Sequence, residues 1–309
     1  KRRHELPKTS RNRKRLNLSI KTQSFNLAGC PVYTEQLPDF SPEVIINSGQ
    51  AFRFYEDSPG YYEIIAGDRR LFFREGEHDL FTFYCSRQEF QDFWHQYFDL
   101  DTDYSKFREM IPEKDWFLTA AAEFSSGLRI LRQDTWEMLV TFLLAQRKSL
   151  TSISHSIDKL CALAGTEITD CAGSFYAFPT PEQLASLSEE QLASCGLGYR
   201  TAYVKAAAEA AAAGEIDFDR LRNVDNRTAS EMLRSLNGVG SKIADCVLLF
   251  GLHRFDSFPV DVWIERIEKD LYGGHFPKEQ YEGSAGVIQQ YLFNYGRNEY
   301  YRKRKLEAE

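Results

Sequence analysis

Leu236-Asn237-Gly238-Val239-Gly240-Ser241-Lys242-Ile243-Ala244-Asp245-Cys246 decides the reading of this chain. Upstream, Thr228 to Leu236 has the spacing of an amphipathic helix, and Ser241 opens another that runs to about Gly251. A Gly-x-Gly turn between two helices is a tight hairpin whose backbone N–H groups point outward. With the N-terminus of the following helix, it can hold a phosphate without any side-chain charge. A dinucleotide fold would need a strand before the glycines, and a P-loop would need a longer spacing than the single Val239.

Lys242 lies in the first turn of the second helix. The positive end of the helix dipole disfavours an ammonium there, and burial adds to the effect, so the position suits a neutral amine nucleophile for Schiff-base chemistry. The plainer reading is an exposed lysine at a helix start. Phe258-Pro259-Val260-Asp261-Val262 follows, with Asp261 nineteen residues beyond Lys242 and just ahead of another helix. Asp261 is in the first instance an N-cap. A cap also fixes where the carboxylate points, so a structural and a chemical role can coexist.

Working outward, the chain divides into two textures. Residues 23–127 are β-rich: Gln50 to Tyr55 alternates apolar and polar, and Tyr61–Ile65 and Leu71–Phe73 flank a Gly67-Asp68 hairpin turn. Phe90 to Phe98 has helical spacing instead. Residues 128–309 read as helical. Asp134 or Thr135 caps a helix with Trp136, Leu139, Val140, Leu143 and Leu144 on one face, Thr201 to Ala213 stops at Gly214, and a last helix covers roughly Gly283 to Tyr295.

The formal charge is −7 over 309 residues, which at first argues against a nucleic-acid partner. The distribution weakens that argument. Residues 1–22 carry a net +8, residues 31–127 a net −11 and residues 128–309 a net −4, so most of the acid excess lies away from the hairpin. The basic leader, residues 1–22, reads as a solvated disordered tail, with phosphate attraction or a nuclear address as further uses. No apolar run approaches the ~20 residues of a membrane helix, and the N-terminus lacks the apolar segment of a signal peptide. The six cysteines have no metal-site or iron–sulfur spacing and are expected to be reduced, mostly buried thiols of an intracellular protein, in cytoplasm or nucleoid if bacterial and nucleus if eukaryotic. No metal and no cofactor are expected.

Gly238-Val239-Gly240-Ser241-Lys242 followed by Val260-Asp261 resembles the helix-hairpin-helix glycosylase superfamily and, within it, the 8-oxoguanine DNA glycosylases. Gly127-Leu128-Arg129-Ile130-Leu131-Arg132-Gln133-Asp134, Gly196-Leu197-Gly198-Tyr199-Arg200 and Ser48-Gly49-Gln50-Ala51-Phe52-Arg53 match family stretches in the same order. The resemblance implies an α+β architecture: an antiparallel, β-rich domain like that of TATA-binding protein, then an all-α helix-hairpin-helix glycosylase domain. It implies a base-excision-repair enzyme acting as a monomer, without a membrane, on double-stranded DNA containing an oxidised purine. Lys242 would attack the sugar, Asp261 would stabilise the charge that develops, and a lyase step would follow.

The base pocket implied by the resemblance is Gly49, Cys246, Gln289 and Phe293. The implied DNA contacts are Gln146, Arg147, Lys148, Tyr199, Arg200, Gly238, Gly240 and Trp263. The chain departs from the vertebrate pattern at several of these. Gln146-Arg147-Lys148-Ser149 stands where an asparagine run fills the gap left by the flipped base, so Arg147 or Gln146 is the expected wedge. Ser152 aligns with an arginine that reads the orphaned cytosine, while Arg200 persists at the second such position, which puts opposite-base preference in doubt. Trp263 replaces a phosphate-contacting histidine, and Gly296 the aspartate that orients it. The rival readings are an alkylbase glycosylase of the same superfamily and a non-catalytic helix-hairpin-helix DNA-binding protein.

Overall fold

Residues 27–308 are described by a computed structural model; the expected tail at residues 1–22 lies outside them. Five antiparallel strands form one sheet in the order β1-β5-β4-β3-β2. They are β1 (Tyr33–Gln36), β2 (Phe54–Ser58), β3 (Tyr61–Ala66), β4 (Arg69–Glu75) and β5 (Leu80–Phe83). The β3–β4 hairpin closes at the expected turn, with Ala66 opposite Arg69 and Gly67 in the left-handed region at φ 58°. One face buries Phe54, Ile64, Leu71, Phe73, Phe81 and Phe83, covered by Ile45 and Ile46 of the helix Pro42–Asn47 and by Phe90, Trp94 and Phe98.

Gln50 to Arg53 is not strand; β2 begins only at Phe54. The reason lies in Gln50, which is fully buried and uses its polar groups across the molecule. Its Nε2 donates to the Arg129 carbonyl at 2.9 Å, its Oε1 accepts from the Leu131 amide at 2.8 Å, and its own carbonyl accepts from Gln133 Nε2 at 2.9 Å. These bonds tie Gln50 to the segment entering the helical half, while the Arg53 carbonyl, accepting from the Ile65 amide at 2.9 Å, already pairs with β3. An apolar alternation cannot distinguish a strand from a loop buried in this way.

The helix Thr135–Ala145 forms the centre of the second half. Asp134 is its cap, accepting from the Glu137 amide at 2.9 Å. Every residue from Thr135 to Leu144 is buried, so the helix is enclosed on all sides rather than along the single apolar face expected. Helices Leu150–Ala164, Thr201–Ala212, Asn226–Arg234, Val262–Leu271 and Ala285–Tyr295 surround it. The helix Trp116–Phe124, which precedes Gly127, also packs into this core through Phe117, Leu118, Ala121 and Ala122. Among the described residues no helix is long and apolar enough to cross a membrane.

The helical half also carries two strands, Glu167–Asp170 and Gly173–Tyr176, paired as a hairpin. Arg70 of β4 holds this hairpin, donating from Nε to Asp170 at 3.0 Å and from its terminal nitrogens to the Gly173 carbonyl and the Asp170 carboxylate. Beside that clamp Cys171 is joined to Cys30 in a disulfide, so the expectation of six reduced thiols is corrected. The two cysteines are 141 residues apart and meet only because the hairpin folds onto the sheet half, which no local spacing could reveal. Cys85, Cys161, Cys195 and Cys246 are free and buried, as expected.

Candidate active site

The hairpin stands between the helices Asn226–Arg234 and Ser241–Cys246. Gly238 adopts φ 85°, and a Cβ there would lie 2.5 Å from Tyr203 Cγ, so both conformation and space demand glycine. Gly240 caps the second helix and has open space around it, as a backbone that meets a ligand requires. Gly238→Ala is expected to lower stability by about 1–3 kcal/mol through backbone strain and the displaced ring, read as a fall in Tm.

Lys242 follows in the first turn, half-buried, with Nζ 5.0 Å from the centre of the Phe142 ring. Phe142 is fixed in turn by stacking on Phe250 at 5.5 Å and by an edge contact with Phe52 at 6.2 Å. One turn on, Cys246 is 2 % exposed. Burial pushes its thiol up to about 11, against the opposing charge of Lys242 and a hydrogen bond with it. Cys246 therefore stays a thiol at neutral pH and makes an apolar wall rather than a second nucleophile.

Asp261 caps Val262–Leu271, its Oδ1 accepting from the amides of Trp263 and Ile264 at 3.0 Å each. Burial raises this carboxyl above the usual aspartate range; the Ile264 amide, the Lys242 charge, the Trp263 amide and Arg297 pull it back. Lys242 and Asp261 thus feel each other's charge across the N-terminal turns of two helices. A cap anchored by two amides holds the carboxylate still while leaving its charge available.

Gly49 (φ 75°) lies against Phe293 and Leu150: a Cβ there would lie 3.3 Å from Phe293 Cε1 and 3.5 Å from Leu150 Cδ2. A flat ring can approach this backbone only because the residue has no side chain. Gln289, one turn before Phe293, is buried with its amide committed, donating to the Pro259 carbonyl at 2.9 Å and accepting from Gln290 at 2.9 Å. The Pro259 bond ties it to the segment that carries Asp261.

The expected DNA contacts separate into two groups. Arg147 is exposed at φ 52°, a strained conformation for a side chain of this size. Tyr199 is 54 % exposed, with the Arg200 guanidinium 4.4 Å from its ring centre. Lys148 and Arg200 instead turn inward. Lys148 donates to Ser156 Oγ at 2.6 Å and the Gly196 carbonyl at 2.7 Å, and Arg200, 7 % exposed, donates to the Gln146 carbonyl at 2.7 Å. Gln146 Nε2 donates to the Leu143 carbonyl at 3.0 Å. In this structure these three side chains build the turn that presents Arg147, rather than offering their own charges to solvent.

Trp263 packs 6.0 Å from the Tyr301 ring, and at Gly296 a Cβ would lie 2.6 Å from Ile267 Cδ1. Trp263 and Ile267 are one turn apart on the same helix, so that helix approaches residue 296 too closely for an aspartate. Arg297 was not singled out by sequence. It lies 5.9 Å from the Phe293 ring, donates to the Asn47 carbonyl at 3.4 Å, and feels the Asp261 charge. Its spacing of one turn from Phe293 was a usable signal, hidden because the helix was expected to stop at Tyr295 whereas the backbone continues helically to Ala308. Among the described residues, no three His, Cys, Asp or Glu side chains are grouped as a metal site would need.

Residues 32–139 match the family model of the 8-oxoguanine DNA glycosylase N-terminal domain, and residues 140–284 that of the HhH-GPD superfamily base excision DNA repair proteins. A probable N-glycosylase/DNA lyase of Methanothermobacter thermautotrophicus is 31 % identical over 229 residues, which are 65 % of this chain and 72 % of that protein. The structure of MBOgg1 in complex with a low-affinity DNA ligand superposes with TM-score 0.79 at 35 % identity, covering 86 % of this chain and 98 % of that one. The Clostridium acetobutylicum 8-oxoguanine glycosylase/lyase, in complex with double-stranded DNA containing cytosine opposite 8-oxoguanine, gives 0.79 at 27 % identity over 89 % of this chain and 99 % of that one. The chain belongs to the 8-oxoguanine DNA glycosylase family of the helix-hairpin-helix superfamily.

Proposed function

We propose that the protein excises 8-oxoguanine from duplex DNA and then cleaves the strand at the resulting abasic site. The observation that carries this reading is the electrostatic coupling of Lys242 and Asp261, beside the base pocket proposed for Gly49, Gln289 and Phe293, to which the Gln289–Pro259 bond ties the Asp261 segment. The target nucleotide leaves the stack and enters that pocket. Phe293 stacks on the base, the Gly49 carbonyl accepts its N7–H, the second N–H and second lone pair of the Gln289 amide read its pairing edge, and Cys246 closes the other face. Arg147, presented outward by the Gln146–Arg200 clamp, fills the gap left in the duplex.

The Lys242 amine attacks C1′ as the C1′–N9 bond breaks, and the departing base takes the electron pair. Asp261 stabilises the positive charge that builds on the sugar, as a fixed carboxylate does best in a site with little water. Loss of a proton from the amine and opening of the sugar ring give a Schiff base. Removal of a C2′ proton then expels the 3′ phosphate by β-elimination, and water releases Lys242. Gly238, Gly240 and the start of the lysine helix hold the backbone through their amides.

The test is single-turnover base release from duplexes with 8-oxoguanine, or guanine, opposite each of the four bases. The expected result is release of 8-oxoguanine only, at similar rates opposite all four, because Ser152 supplies no guanidinium to read a cytosine. Release of methylated purines in preference to 8-oxoguanine would favour the alkylbase reading. Tight binding without release would favour a non-catalytic module.

A further inference from the structure

A cleft of about 620 Å³ opens between the helix Val262–Leu271 and the C-terminal helix Tyr301–Ala308. Five of its lining side chains are cationic, Arg266, Arg297, Arg302, Arg304 and Lys305, against the single carboxylate of Asp270. That is a local net of about +4 in a chain whose total is −7. Asp270 is already engaged, accepting from the Tyr301 hydroxyl at 3.1 Å and lying 3.6 Å from Arg266.

Two of the guanidiniums are held by rings, and Arg302 lies 3.6 Å from Glu299. Arg266 lies 3.9 Å from the centre of Tyr301, and Arg304 lies 5.6 Å from that of Tyr300 while donating to its hydroxyl at 3.1 Å. A guanidinium stacked on an aromatic face keeps its in-plane donors free for an oxyanion and loses little freedom on binding one. The cleft also adjoins the candidate active site through two residues. Trp263, whose amide Asp261 caps, forms part of its wall, and Arg297 borders both the cleft and the Phe293 side of the base pocket.

We propose that this cleft binds the sugar–phosphate backbone of duplex DNA beside the flipped nucleotide, with Arg266, Arg302 and Arg304 as its phosphate contacts. The inference rests on the reading of the protein as a DNA glycosylase. Cations spread along two helices fit a chain of phosphates better than one small anion. It gives the acidic protein a second grip on DNA besides the hairpin, whose amides carry no net charge.

Binding of the full chain to an undamaged duplex, measured across a salt series, tests this whether or not 8-oxoguanine proves to be the substrate. Arg302→Gln/Arg304→Gln is expected to weaken binding about tenfold at moderate salt and to flatten the log–log salt dependence by about 2, near 0.9 for each phosphate no longer neutralised. Arg302→Glu/Arg304→Glu is expected to weaken it further. The charge-matched control Arg87→Gln/Lys106→Gln, exposed positions on the sheet half, keeps the wild-type slope. Weaker binding with the wild-type slope, or a loss no larger than the control's, overturns the proposal. So does a loss seen with duplex RNA or anionic vesicles but not with duplex DNA.

Discussion

Asp261→Asn slows base release by about a hundred- to a thousandfold while leaving the fold in place, a loss of about 3–4 kcal/mol of transition-state stabilisation. Asparagine caps helices as well as aspartate does, so the bonds from the Trp263 and Ile264 amides survive. What disappears is the negative charge facing the sugar. The pH dependence separates this from a structural effect. Burial raises the Asp261 carboxyl above its ordinary range, and only the ionised form can stabilise a cationic sugar. Activity is therefore present above the carboxyl's raised pKa and lost as pH falls through it, and the acid limb sits higher than an ordinary aspartate would place it. In Asp261→Asn that limb is absent. A variant with a wild-type limb would remove Asp261 from the chemistry.

Lys242→Gln has the largest expected effect: base release falls by about 10⁴-fold or more, at least ~5.4 kcal/mol, and strand cleavage through an imine stops altogether. Glutamine is polar and nearly as long, and it can remain over the Phe142 ring that Lys242 now faces at 5.0 Å. Its amide nitrogen is not nucleophilic and cannot form an imine. Duplex binding is retained, because the outward amides of the Gly238–Gly240 turn do not depend on the lysine. Quantifying base release and strand scission on the same lesion duplex distinguishes loss of the nucleophile from loss of DNA binding.

The parts legible in the sequence were those where a local rule and a chemical need coincide. Gly238 shows this best: the left-handed turn and the Tyr203 ring both require glycine, so the hairpin stood out by itself. Asp134, Asp261 and the Gly67 turn are short-range devices, and each appears where capping and turn chemistry placed it. Gln50 is not a strand residue because its hydrogen bonds run to residues 129–133, beyond any local window. The Cys30–Cys171 bridge failed for the same reason, since its partners meet only through the tertiary fold. For Lys148 and Arg200 sequence reports charge and not direction; in the folded chain both donate to carbonyls. The last helix is expected to end near Tyr295, but Gly296 admits Ile267 and the helical backbone runs on to present Arg302 and Arg304.

The identity of the attacking atom is the centre of the account, and borohydride reduction during turnover on an 8-oxoguanine duplex tests it most directly. The wild-type protein should form a stable covalent adduct with DNA, and peptide mapping should place the adduct on Lys242, whereas Lys242→Gln should give none. Normal trapping by Lys242→Gln, or a wild-type adduct mapped to another amine such as Lys148, would contradict it.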